Sequence, residues 1–349
     1  MRNPSLSISA ALSATIALAL LTAPATAQDV AAFYQGKSVD LIIGAAPGGG
    51  YDVYARVLAR HFDKHIPGRP NIVPKNMPGA GSNKAAAFVY SVAPKDGTVI
   101  GAVFSGAIMD PLLGDRSQVQ HDPTKFIYLG SANDEVSLCA VRADAPAKTM
   151  RQAMTAPILL GASAAGGSTR DFPAALNTLA GTKFNLVSGY PGTKEITLAI
   201  ERNEVQGACG YYWSSLSTQN PDWVTGGAMI LLVQEAMKGH PALSKLGVPV
   251  AVDFAKTPED RQVLELIYSQ LVFGRPYLLP PGVPEARVAA LRKAFADALR
   301  DKDLLADAEK SRIEITPVSG EAVQSLVAKL FAMPERIVER AKEAQTYKK

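Results

Sequence analysis

Gly48, Gly49 and Gly50 follow a proline and precede Tyr51 and Asp52 in the stretch IIGAAPGGGYDVYARVLARHF, Ile42–Phe62. An apolar run, a glycine loop and an amphipathic pattern opened by an aspartate make a site for an anion. A helix start leaves backbone N–H groups unpaired and carries partial positive charge. Glycine lets that backbone approach a ligand closely. A carboxylate or phosphate can then bind without a basic side chain. The lysine of a nucleotide-phosphate loop is missing here, and a tight turn with Asp52 as helix cap would explain the same residues.

Three more loops have the same character. GAGSNK, Gly79–Lys84, imitates fragments of nucleotide motifs but completes none of them. GASAAGGSTRD, Gly161–Asp171, offers hydroxyls at Ser163, Ser168 and Thr169 among small residues such as Gly167, ahead of a helix capped near Asp171. Arg170 could add a bidentate carboxylate contact or simply be a solvated arginine. SGYPGTKE, Ser188–Glu195, places Tyr190, Pro191 and Gly192 before another helix start, and GYYWSS, Gly210–Ser215, offers aromatic walls.

Catalytic chemistry finds little support. There is no Gly-x-Ser-x-Gly elbow. His61 and His65 share a helix face, but no acidic residue stands between them in the metalloprotease pattern. His121 and His240 sit in loop-like contexts, and Asp134 with Glu135 reads as a solvated strand edge. No catalytic residue, metal or cofactor is expected.

The elements that must position these loops alternate. Strands read at Val39–Ile43, Asn71–Pro74, Thr98–Phe104, Ser137–Val141, Val205–Cys209 and Met229–Val233, with helices over about Asp52–His65, Lys194–Arg202, Glu259–Phe273 and Val283–Leu299. The alternation predicts mainly parallel, doubly wound sheets, and the pattern restarts near Ser137, which gives two α/β lobes. In such sheets ligands sit at the carboxyl ends of strands.

The first 27 residues read as a secretory signal peptide: Arg2, an uncharged apolar stretch, then ATA, with cleavage after Ala27. The remainder is long enough for two domains. A formal net charge of +4 without a Lys/Arg block makes nucleic acid an unlikely partner. Cys139 and Cys209 are the two cysteines. Export permits a bridge between them, and two small buried residues is the other reading.

The ordered set PGGGYDVYAR, NMPGAGSNKAA, PKDGTVIG, GASAAGGSTRD, GYPGTKEITLAIERNEVQG and RPYLLPPGVP resembles the Bug family, the TctC-like substrate receptors of tripartite tricarboxylate transporters, over nearly all of the exported chain. The resemblance implies a periplasmic receptor of two Rossmann-like lobes, periplasmic binding protein type II-like, closing over a small carboxylate and docking on membrane permease subunits as a monomer. It implies lobe 1 as 28–130 plus 253–349 and lobe 2 as 131–252. It carries ligand contacts onto Gly49, Gly50 and Asp52, onto Ser105 and Gly106, onto Ser163, Gly167, Ser168 and Asp171, and onto Tyr190, Pro191 and Gly192. Thr169 and Arg170 join them from the loop itself. The commoner family loop is one residue longer between proline and aspartate, so Tyr51 is the residue expected to shape ligand size. The rivals are an exported hydrolase using Ser163 or Ser168, which needs a histidine within reach, and a ligand sensor not tied to transport.

Overall fold

The computed structural model describes residues 27–114, 119–163 and 166–347. The expected signal peptide, residues 1–27, lies outside the described residues except for Ala27.

Two sheets organise the chain. The first is formed by β1 (Ser38–Ile43), β2 (Asn71–Asn76), β3 (Val99–Ala102), β4 (Ile127–Ser131), β10 (Pro276–Leu279) and β11 (Val318–Ser319). The second is formed by β5 (Ser137–Arg142), β6 (Ile158–Ala162), β7 (Phe184–Ser188), β8 (Gly207–Tyr212) and β9 (Met229–Glu235). Their orders are β11-β4-β10-β3-β1-β2 and β7-β6-β8-β5-β9. This is the two-lobe α/β architecture that the sequence predicts.

Neither sheet is as parallel as expected. β1 runs parallel to β2 and β3, and β6 runs parallel to β7 and β8. β10, however, is antiparallel to β3 and β4, and β5 is antiparallel to β8 and β9. The reason is the route of the chain. It leaves the first sheet through β4, enters the middle of the second as β5, and returns into the middle of the first as β10. Each entering strand therefore runs against its neighbours.

The two crossovers lie side by side. Glu135 N–H donates to the Leu271 carbonyl at 2.8 Å, and Ala132 N–H donates to the Arg275 carbonyl at 3.0 Å. Thr316 joins them, with Asp134 N–H donating to its carbonyl at 2.9 Å. Helices Pro258–Tyr268 and Glu335–Ala344 both pack on helix Ser168–Leu179, which serves the second sheet.

Local sequence explains the first strand–loop–helix unit. The β-branched run of β1 is buried through Leu41–Ile43 and stops at Gly44, where an added Cβ would sit 1.7 Å from Ser82 Oγ. Helix Gly50–Phe62 then buries Tyr54, Ala55, Val57, Leu58 and Phe62, a helical stripe turned to the core.

Cys139 on β5 and Cys209 on the adjacent β8 form a disulfide, which resolves the choice between a bridge and two free thiols. Glu235 of β9 lies against it and is fully buried.

Candidate functional site

The cleft is built from helix starts. Helix Gly50–Phe62 has Gly49 as its N-cap, helix Ser105–Leu113 begins after Phe104, helix Ser168–Leu179 begins after Gly167, and helix Thr193–Glu201 begins after Gly192. Gly49, Ser105, Ser168 and Thr193 all line one cleft of about 810 Å³. Two of these helices belong with each sheet, so the partial positive charge of four helix ends faces one space.

Of the residues singled out in the sequence, Gly49, Tyr51, Ser105, Gly106, Ser168, Asp171, Pro191 and Gly192 line this cleft. Gly50 faces a separate pocket behind it. Asp52, Ser163, Gly167, Thr169, Arg170 and Tyr190 are not among its lining residues.

Those six have other work in the structure. Asp52 is the third residue of its helix rather than its cap. Its carboxylate accepts from Gly48 N–H at 2.8 Å, from Arg56 at 2.9 Å and from Asn76 at 2.8 Å. Burial works against its charge, but those donors outweigh it and hold the carboxyl below the usual range. Asp52 thus sets the glycine loop from beneath. Thr169 accepts from Ser163 N–H at 3.0 Å and donates to Ser163 Oγ at 2.8 Å, which ties the two ends of the second-lobe loop together. Arg170 is neither a surface residue nor a cleft residue. It pairs with Asp171 and donates to the Gln345 carbonyl, both at 2.9 Å, and so pins the C-terminal segment. Gly167 serves as N-cap, and Tyr190 is half-buried and packs against the core cluster that contains Ile196.

Ser168 is held from behind. Its hydroxyl donates to the Gly210 carbonyl at 3.0 Å. Gly210 has φ +75°, and an added Cβ would come within 2.4 Å of the Ser168 backbone, so only glycine permits this approach. Gly210 N–H in turn donates to Glu235 at 2.7 Å, and Ser137 Oγ donates to the same oxygen at 2.9 Å. Burial pushes the Glu235 carboxyl up to about 8.

The side walls are aromatic and apolar. Tyr51 lies against Phe104 with ring centroids 4.3 Å apart, and Ser105 N–H points at the Tyr51 hydroxyl at 3.4 Å. Met109, Phe172, Tyr211 and Tyr212 continue the wall. The charged side chains of the lining are two carboxylates, Asp110 and Asp171. Burial pushes both up, and the charge of Asp110 pushes Asp171 further in the same direction.

Sequence reasoning missed Arg275. It stands at the hinge end of β10 with its side chain 4% exposed. Its guanidinium lies 4.3 Å from the Tyr51 ring, 4.9 Å from Tyr54 and 5.6 Å from Tyr212. The Glu135 carboxylate is 3.8 Å away and buried, so Glu135 is not part of a solvated edge, whereas Asp134 is exposed. The only trace of this in the sequence is an arginine ahead of the PYLLPPG run.

The histidines are engaged away from the serines. His61 and His65 pair with Asp307 and Asp301, His121 contacts the Ala107 carbonyl, and His240 pairs with Glu314.

The molecule has two α/β lobes with a cleft between them. The TctC solute-binding protein from Polaromonas superposes with a TM-score of 0.67 at 19% identity, over 89% of this chain and 99% of that one. MatC from Rhodopseudomonas palustris, solved with bound malate, gives 0.60 at 20% identity, over 89% and 99%. The UPF0065 protein in the gbd 5' region of Cupriavidus necator is 36% identical over 140 residues, which is 40% of this chain and 40% of that relative's length. No family model matches. The chain thus has the fold of the TctC/Bug periplasmic binding proteins, the group that its motifs resemble.

Proposed function

We propose that this chain is a periplasmic solute receptor that captures an organic acid between its lobes and delivers it to the permease subunits of a tripartite transporter. The observation that carries this reading is the convergence of four helix N-termini, two from each sheet, on one cleft whose described lining contains no lysine or arginine. Such a site holds a carboxylate by backbone N–H groups and helix ends. It needs no nucleophile and no cofactor.

The lobes are the two sheets with their helices, hinged at 132–136 and 271–275. A ligand that touches both lobes favours the closed state by the difference in its contacts to the two states. The permease then recognises that state, and a monomer suffices.

MatC supplies malate as one kind of ligand for this fold. The lining here favours a different body. Tyr51, Phe104, Tyr211 and Tyr212 offer ring faces, and a second carboxylate would meet Asp110 or Asp171. We infer a monocarboxylate with an aromatic or bulky apolar body and a hydroxyl or amine that can donate to Asp110.

The test is calorimetric titration of the processed protein against aromatic monocarboxylates, aliphatic monocarboxylates and dicarboxylates. An aromatic monocarboxylate should bind most tightly. Failure of every acid to bind would refute a carboxylate receptor. Tighter binding of dicarboxylates would refute the inferred ligand body alone. Uptake of the bound acid by cells should require both this protein and the permease.

A further inference from the structure

A second pocket of about 390 Å³ is lined in part by the glycine loop. Gly48, Gly50 and Tyr54 line it from the first lobe, Ser214 and Ser215 from the second, and Arg275 from the hinge. We propose that this pocket is a separate binding site for a small oxyanion, with Arg275 as its cation.

The argument starts from unfilled hydrogen-bond capacity. A guanidinium carries five N–H donors in a planar fork. In Arg275, Nη1 donates to the Gly274 carbonyl at 3.0 Å. Nε has no acceptor among the described residues. Nη2 stands 3.8 Å from Glu135, beyond hydrogen-bond distance. Glu135 cannot complete the set, because its oxygens already accept from Asn133, Ser214 and Val136. The tyrosines around the guanidinium give it ring faces, which attract a cation but take no hydrogen bond from Nε. A buried donor without an acceptor is costly, and an arginine fork matches the oxygens of an oxyanion.

The opposite wall suits the same ligand. Gly50 is the first residue of helix Gly50–Phe62, and its open side faces Arg275: a Cβ built there would be 3.7 Å from Nη2. An oxyanion in the pocket would meet the guanidinium and a helix start together. It would also bridge Gly50 of one lobe and Ser214–Ser215 of the other. Occupancy therefore couples to the lobe arrangement, and through Ser215, which lines both spaces, to the cleft.

The experiment is thermal unfolding of the full chain in sodium sulfate, phosphate or acetate, each against sodium chloride at matched ionic strength. The variants are Arg275→Gln and Gly50→Asp. Sulfate should raise the midpoint of the wild type saturably, by roughly 2 °C at ten times its dissociation constant. Arg275→Gln should abolish that rise. Gly50→Asp places a carboxylate of the protein itself beside Nη2, so it should unfold at higher temperature without sulfate and ignore added sulfate. The second variant keeps the test decisive where the first fails to fold. Sulfate should still act when the cleft is saturated with its organic acid, which separates a free anion from a second carboxylate of the cleft ligand. The proposal is overturned if sulfate does no more than chloride, if both variants respond like the wild type, or if the cleft ligand displaces sulfate.

Discussion

The guanidinium of Arg275 lies 4.3 Å from the ring of Tyr51, and the same ring packs on Phe104. Tyr51 therefore divides the ligand cleft from the hinge. It is also the residue that stands in the shortened glycine loop.

Replacing Tyr51 with alanine removes both the ring contact and the cation–π contact. Those contacts support the fold; what the ligand loses is the ring face, and an aromatic pair contributes about 0.5–1.5 kcal/mol. Affinity for an aromatic acid should fall by roughly two- to tenfold, and affinity for a short aliphatic acid should fall less. Tyr51→Phe should keep most of both. Titration of the three proteins against one aromatic and one aliphatic acid checks this; equal losses for the two acids would mean that Tyr51 is only structural.

Asp110 and Asp171 give binding a pH dependence. Burial raises both carboxyls, and a bound carboxylate raises them further. Binding then takes up protons. Affinity for a ligand that stays ionised should strengthen as pH falls from 8 toward the range in which these groups protonate. Asp110→Asn should flatten the profile. An affinity that weakens on acidification, with the ligand still ionised, would contradict this.

Glu235 makes a separate prediction about stability. Its carboxyl is at about 8 in the folded protein, above the ordinary glutamate value. Between those two values the unfolded chain releases a proton that the folded protein keeps. Stability from this group is therefore present below the ordinary value and is lost as pH rises toward 8. Glu235→Gln should remove that part of the decline, as read from denaturation midpoints at pH 5 and pH 8. An unchanged slope would show that the fold does not hold Glu235 protonated.

The disulfide spans a sequence separation of 70 and joins two central strands of the second sheet. Loop-closure arguments give a bridge of that span roughly 4 kcal/mol. Reduction, or the Cys139→Ser and Cys209→Ser pair, should lower the unfolding midpoint by many degrees. It should also weaken ligand binding, because Gly210 next to Cys209 holds Ser168. A protein equally stable when reduced would contradict this.

Much of the cleft is legible in the sequence because each of its loops is local. A β-branched run, small residues and a helix start lie within about a dozen residues, as at β1–Gly49 and β6–Ser168. The place of these loops at strand ends follows from that adjacency, although Asp52, Ser163, Gly167, Thr169, Arg170 and Tyr190, singled out in them, do not line the cleft. What is not legible is non-local. β4 and β10 are short strands without alternation, and β10 reverses the sheet only because the chain arrives from the other lobe. Arg275 reads as an ordinary arginine until Tyr51, Tyr54, Tyr212 and Glu135 are brought around it from distant parts of the chain. Asp52, taken for a ligand contact and helix cap, acts one step removed: it fixes the loop whose glycines face outward.

The central claim is that a carboxylate is held by helix starts rather than by a basic side chain. Its most direct test is the dissociation constant of the preferred acid and of its neutral amide, measured calorimetrically on the wild type and on Gly106→Asp. Gly106 lines the cleft in the first turn of its helix, and a Cβ there meets nothing within 4 Å. An aspartate should fold at that position and oppose the ligand charge. The account predicts that the amide binds the wild type at least tenfold more weakly than the acid, and that Gly106→Asp loses at least tenfold for the acid at an undiminished melting temperature. An amide that binds as well as the acid, or an acid indifferent to Asp at 106, would contradict it.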